Sequence, residues 1–332
     1  MGGASAGTDS EPVVNLAGVR RAFNRAVALD ELSLRAHAGT VTVLVGPNGA
    51  GKTTAVRMIT GALCPERGTV RVFGLDPASA GEAVRRRCGV VSAKPALYDR
   101  LSGWDNLVYA AELYRLGRRA PIEEAASRFR IDHALGLRVG GYSTGMKTRL
   151  ALARAVLGDP DLLLLDEPTS GLDPESSHAV LRLIGELAAQ GRTVIMCTHL
   201  LLEAEGLADQ VVLMQDGRSL LAGPPGELIS QLWPHPTVVL DGEDRERLDA
   251  ARHLPGVRSY RRDDGPASVE LDDLARLPDL IGTLAAAGVR LTRVNPHQPT
   301  LEELYFPVRA GRFTGNMTGA PRTAPEVVEV GA

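Results

Sequence analysis

The chain has 332 residues, of which 44% are hydrophobic, and a formal net charge of −3. That length and apolar content suit one large or two ordinary domains with a packed core and exclude a globally disordered chain, while the near-neutral balance excludes a whole-protein electrostatic case for nucleic-acid binding, so no nucleic-acid partner is expected. Cys64, Cys88 and Cys197 are widely spaced and odd in number, which excludes a disulfide framework and a cysteine metal site and fits a reducing cytosol.

Residues 1–11 are small and polar and are expected to form a disordered leader without the basic and apolar regions of a signal peptide. From about 12 to 232, short apolar runs alternate with helical patterns. The run Val41–Val45 predicts a strand, a glycine-rich turn follows it, and a helix begins near Lys52. Residues 99–155 carry helical patterns and little strand signal, and read as a helical insertion. Further apolar strands are expected at 162–165 and 194–197, with later ones at 211–214 and 219–222 around Asp216 and Gly217. This alternation predicts a mainly parallel sheet covered on both faces. After a linker at 233–236, a smaller block over 236–308 reads strand, helix, strand, strand, helix, strand. Its strands are expected near 238–240, 257–261, 268–271 and 289–294, and its helices near 245–251 and 277–287. Residues 313–332 are rich in Gly, Pro, Thr and Ala and are expected to be a disordered tail. No uninterrupted apolar run reaches the length of a membrane span.

Gly46, Pro47, Asn48, Gly49, Ala50, Gly51, Lys52, Thr53 and Thr54 match the pattern G-x-x-x-x-G-K-[ST]. The chemistry explains the spacing. Glycines let backbone N–H groups turn toward phosphate oxygens, and the following helix presents its positive end. Lys52 is expected to reach the β- and γ-phosphates of ATP, and the Thr53 hydroxyl to ligate Mg2+. The chain has 37 Lys and Arg together, yet only Lys52, Lys94 and Lys147 are lysine. A sequence that writes its positive charge as Arg has kept a compact ammonium in this turn.

The strand at 162–165 runs directly into Asp166 and Glu167. An acid at the end of a buried strand can hold magnesium through water, which is the role expected of Asp166. Glu167, next along, is placed to orient an attacking water or take its proton.

The remaining motifs identify the family. Tyr142, Ser143, Thr144, Gly145, Met146 and Lys147, opening a helix over 149–157, resemble the signature motif of ABC ATPases. Ser170, Gly171, Leu172 and Asp173 resemble their D-loop. Thr198 and His199 resemble their switch histidine, and Phe23 lies where the family carries an adenine-stacking aromatic. The resemblance covers about 13–230 and implies a phosphate-loop ATPase sheet with a helical insertion. It further implies a head-to-tail dimer of two ATPase subunits, with each ATP between one phosphate loop and the other subunit's Ser143, Thr144 and Gly145. In that arrangement His199 touches the γ-phosphate, Asp173 communicates across the interface, and a separate transmembrane permease subunit docks on the helical insertion. The chain is then expected at the cytoplasmic face of the cell membrane.

Two departures from the family pattern stand out. Ala93 occupies the position where the family usually has a glutamine that touches magnesium and water, and Thr144 and Met146 alter the commonest signature. The small C-terminal α+β block, ending in Pro299, Thr300, Leu301, Glu302, Glu303, Leu304, Tyr305 and Phe306, resembles the appendix on subunits of drug-resistance and sodium-efflux exporters. Two alternatives stay open. One is an ABC ATPase of translation or repair, although the second ATPase domain or long coiled coil of those types is not apparent. The other is a regulatory ATP binder with little turnover.

Overall fold

The computed structural model describes residues 11–24, 26–116 and 120–309. The leader expected over 1–11 lies outside the described residues except for Glu11, and the tail expected over 313–332 lies outside them entirely. The chain divides into two compact units, one reaching to Pro225 and resumed at Val308, the other Gly226–Pro307.

In chain order the first unit contains β1 (Val14–Phe23), β2 (Ala26–Ala36), β3 (Val41–Val45), α1 (Lys52–Ile59), β4 (Arg67–Val72), α2 (Pro77–Arg86) and β5 (Cys88–Val91). It continues with α3 (Gly103–Leu113), α4 (Ala120–Arg128), α5 (Thr144–Val156), β6 (Leu162–Asp166), α6 (Pro174–Ala189), β7 (Thr193–Thr198), α7 (Leu201–Glu205), β8 (Gln210–Gln215) and β9 (Arg218–Gly223). A six-stranded sheet has the order β5-β6-β7-β3-β8-β9. Its pairs are parallel except β8 with β9. Every residue of β3, β6 and β7 is buried, as expected of parallel strands covered on both faces. Because β6, β7 and β3 are neighbours and run the same way, their carboxyl ends open on one edge. That is where ligands bind in such sheets. Register fixes the edge closely, with Val45 opposite Thr198 and Asp166 opposite Cys197.

A second sheet, antiparallel in the order β2-β1-β4, was not visible in the sequence. The β1–β2 register shifts between Leu16 and Val19, again before Arg21 and again before Ala22. Each bulge resets the inside–outside alternation on which strand recognition depends. The helical insertion holds α3, α4 and α5, packed through buried residues such as Leu107, Ile122, Phe129 and Leu150. The helix carrying the signature starts at Thr144, five residues earlier than the 149–157 expected. Ser143 supplies the cap that lets it begin there.

The second unit contains α8 (Pro225–Leu232), β10 (Thr237–Gly242), β11 (Val257–Arg261), β12 (Ala267–Leu271), α9 (Leu277–Ala286), β13 (Leu291–His297) and most of α10 (Leu301–Arg309). Its sheet has the order β11-β12-β10-β13 with every pair antiparallel. That is the split arrangement in which the first strand lies between the third and the fourth. Two local expectations are corrected. The first crossover, expected as a helix over 245–251, is a 3-10 turn at Glu246–His253. Its buried residues, Leu248 and Ala251, are three apart, the spacing that a 3-10 turn brings onto one side. The last strand begins at Leu291 rather than at 289. The Gly288 and Val289 N–H groups cap α9 by bonding Ala285 O and Leu284 O, both at 3.0 Å, so Val289 cannot enter the ladder.

Candidate nucleotide site

The turn after β3 is tied to the next strand by Gly46 N–H, which donates to Thr198 O at 3.4 Å. Asn48 and Gly49 are exposed, Pro47 is half-buried and Ala50 is buried. Gly51 ends the turn at φ 102°, and a Cβ there would stand 2.5 Å from Ala28 O. Only glycine fits, because both the conformation and the space forbid a side chain. No side chain caps α1 and its first turn carries no acid, so its N–H groups and positive dipole end are free to meet an anion.

Lys52 is 6% exposed. Its Nζ donates to Gly46 O at 2.6 Å and Pro47 O at 3.3 Å, and stands 3.3 Å from Glu167 Oε1. That carboxylate oxygen is buried without a directed hydrogen bond, so the contact with Lys52 is a charge pair alone. On the same edge the Thr53 hydroxyl donates to Asp166 Oδ2 at 2.8 Å. Burial raises the Asp166 pKa above the ordinary carboxylate value, and the Thr53 hydrogen bond opposes the shift. A raised carboxyl pKa means that the folded chain loses stability as pH climbs through it, because ionised Asp166 is held out of water. A cation at this point relieves that cost.

Glu167 sits in the left-handed region at φ 52°, a conformation costing about 1–2 kcal/mol for a residue with a side chain. It is held there by its own N–H on Cys197 O at 2.9 Å and by Ser170 N–H on its carbonyl at 3.1 Å. The resulting turn aims Glu167 Oε2 at His199 Nδ1, 2.7 Å away.

These residues fit the groups the sequence called for. Gly49, at φ 86°, has no atom within 4 Å of a Cβ position, which leaves room for phosphate oxygens beside the turn. Magnesium takes oxygen ligands, commonly one or two carboxylates together with phosphate oxygens. The Thr53 hydroxyl and Asp166 carboxylate supply two protein oxygens at hydrogen-bond distance from each other.

A family profile described as "ABC transporter" matches residues 29–170. A Nod factor export ATP-binding protein I from Bradyrhizobium diazoefficiens is 34% identical over 309 residues, covering 92% of this chain and 97% of that protein. The chain belongs to the ABC transporter ATP-binding family. A daunorubicin/doxorubicin resistance ATP-binding protein from Streptomyces peucetius is 34% identical over 306 residues, covering 90% of this chain and 93% of its own. Among solved structures, an ATP-binding subunit of an ABC transporter aligns with TM-score 0.61 and 29% identity, over 67% of this chain and 93% of that one.

The other candidate positions of this ABC protein fall into two groups. Phe23 ends β1, is 39% exposed, and lies 5.2 Å beneath the Arg21 guanidinium. Thr54 lies half-buried on α1 beside Thr53. The signature residues are gathered elsewhere. Ser143 Oγ accepts from Met146 N–H at 3.2 Å and caps α5. A Cβ on Gly145 would lie 3.5 Å from Ser176 Oγ, and one on Gly171 would lie 3.7 Å from the Thr144 methyl. Asp173 caps α6, accepting from Ser176 N–H and Ser176 Oγ, both at 2.8 Å. Those bonds hold its carboxyl below the ordinary range, the backbone donor first. Thus the structure packs Thr144 and Gly145 against the turn that leads into Asp173. Among the described hydrogen bonds, none joins the signature to the phosphate loop.

Ser143→Ala should lower the stability of the nucleotide-free protein by about 1 kcal/mol, since it removes the cap from α5. Thermal unfolding without ligand would measure this, and an unchanged midpoint would contradict the capping role.

Ala93 is exposed and its side chain brings no polar group. The Ser92 hydroxyl donates to Lys94 O at 2.9 Å. The segment following Ala93 is instead fastened to the signature helix. Lys147 Nζ donates to Asp99 Oδ1 at 2.9 Å, and the Arg154 guanidinium donates to Ala96 O. Sequence reasoning passed over these two anchors. Asp99 and Lys147 are 48 positions apart, and nothing local to either announces the pair. It also passed over Glu203, four positions after His199, whose only sequence signal is an acid in the first turn of a short helix.

Proposed function

We propose that this chain is the ATP-binding and ATP-hydrolysing subunit of an ABC exporter. Two such chains would work head to tail with a separate transmembrane permease at the cytoplasmic face of the membrane. The observation that carries the reading is the Glu167 turn. One carboxylate oxygen stands 3.3 Å from Lys52 Nζ and the other 2.7 Å from His199 Nδ1, next to the Thr53–Asp166 pair.

Lys52 binds the β- and γ-phosphates, exchanging its bonds to Gly46 O and Pro47 O for charge-assisted ones. Phe23 stacks on the adenine, with its ring exposed for that purpose. Magnesium, held by Thr53 and through water by Asp166, would offset the negative charge gathering on the phosphates. Glu167 orients the attacking water and takes its proton, and its fixed turn spares the reaction the cost of arranging that base. His199 fixes the Glu167 carboxylate and, in this reading, contacts the γ-phosphate. Ser143, Thr144 and Gly145 would complete the site from the second copy, with the α5 dipole facing phosphate. The placement of the signature beside Leu172 and Ser176 of its own chain, and not beside Lys52, supports that division of labour.

Export as the task is supported by the names of the relatives, one for Nod factor export and one for daunorubicin/doxorubicin resistance. Among the described residues no helix is long and apolar enough to cross a membrane, so the spans would come from another chain. One observation favours a second reading, a binder with little turnover. Ala93 offers no polar side-chain group to the site.

Phosphate release from ATP by the full-length chain, with magnesium and with the metal chelated, tests the proposal. Turnover with magnesium that falls to background on chelation and returns on adding the metal back is expected. ATP binding with no turnover in any condition would replace it with the second reading.

A further inference from the structure

Two turns present the reacting groups, one after β6 bearing Glu167 and one after β7 bearing His199. Their side chains meet at 2.7 Å; the backbone bond from Glu167 N–H to Cys197 O ties the two strand ends together but does not by itself fix how the turns beyond them carry the side chains. Directly behind them stand two threonines that face each other's turn. Thr169 lies two residues past Glu167 and Thr198 immediately precedes His199, and both are buried. The hydroxyls of both donate to the same atom, Oε2 of Glu203, each at 2.9 Å. The Thr198 hydroxyl also accepts from Leu200 N–H at 3.0 Å, so its one proton goes to Glu203 while a backbone donor holds its oxygen in place.

We propose that Glu203 is a positioning residue for ATP hydrolysis. By clamping Thr169 to Thr198 it sets the distance between Glu167 and His199. This rests on the proposed hydrolytic role of Glu167. The clamp needs one oxygen that accepts from both hydroxyls, and a carboxylate oxygen is the strongest such acceptor, because its charge assists both bonds. Removing Glu203 leaves two buried hydroxyls without an acceptor, which they regain only by rotating and shifting their turns. A shift on the order of 1 Å at a reacting group is enough to cost roughly a hundredfold in rate. Glu203 has no contact with Lys52, Thr53 or the phosphate loop among the described hydrogen bonds, so ATP affinity should not follow.

The test compares full-length Glu203→Ala, Glu203→Gln and Thr169→Val with wild type, measuring kcat, KM and nucleotide affinity. Thr169→Val is nearly the same size, and it removes the link to the Glu167 turn while sparing the one to the His199 turn. Glu203→Ala should lower kcat by at least tenfold with ATP affinity within twofold of wild type. Glu203→Gln, which keeps an acceptor oxygen in place, should recover much of the loss, and Thr169→Val should lower kcat in the same sense. If Glu203→Ala does not fold, Thr169→Val decides alone. Equal kcat in Thr169→Val and wild type would overturn the proposal. So would a fall in affinity that matches the fall in kcat, since that is the signature of a general structural loss. Absence of turnover in wild type would instead overturn the hydrolytic reading on which the proposal rests.

Discussion

Glu167→Gln should reduce turnover by about 10²–10⁴-fold, the range removed when a positioned general base is lost. The amide has nearly the shape of the acid and keeps an oxygen that can hold the His199 contact, but it cannot take a proton from water. The φ of 52° at this residue should survive, because the bonds that hold it run through the backbone to Cys197 O and from Ser170 N–H. Binding should survive as well. Lys52 loses a charge partner 3.3 Å away but keeps its donations to Gly46 O and Pro47 O, and one negative charge beside the phosphates disappears. ATP affinity should therefore hold or rise while hydrolysis stops, and the variant should accumulate as an ATP-bound dimer. Titration of nucleotide together with light scattering would show this. A variant as active as wild type would remove Glu167 from the mechanism.

The edge of the sheet that carries these groups was legible because three neighbouring strands are built mainly of apolar residues. β3, β6 and β7 are each buried along their whole length, and a run such as the four leucines before Asp166 has few other uses. Phosphate loop, acids and histidine follow from the ends of those strands. What could not be read depends on long-range pairing or on broken periodicity. β1 and β2 were missed because their bulges interrupt alternation. The shift at Val289 came from a helix cap that claims an N–H otherwise available to a strand. The signature helix was read five residues short because its first turn, Thr144 to Lys147, holds a glycine and a single apolar side chain, Met146, and looks like loop until Ser143 is seen capping it. Glu203 and the Asp99–Lys147 pair are meaningful only once distant turns have been brought together. A lone acid at their positions reads as a solvated face.

Lys52→Ala acts on the other half of the reaction. The ammonium is nearly enclosed, donates to two backbone carbonyls of its own loop and faces Glu167. Two effects oppose each other when it is removed. The loop loses a cost, since an enclosed cation no longer has to be kept from water. Glu167, itself only 14% exposed, loses its neighbouring positive charge. The second effect is tempered by His199 at 2.7 Å, so the folded chain should tolerate the change. Nucleotide binding has no such compensation. Each charge-assisted hydrogen bond to phosphate is worth about 1.5–3 kcal/mol, so affinity for ATP should fall by at least about tenfold. Lys52→Arg should not rescue it, because a planar guanidinium cannot occupy the compact position beneath the turn, between Gly46 O and Glu167. Calorimetric titration with ATP, alongside the same titration of Glu167→Gln, separates the two residues. The lysine variant loses affinity and the glutamate variant loses rate. Unchanged affinity in Lys52→Ala would mean that the loop after β3 does not hold the phosphates, and the assignment of the site would fall with it.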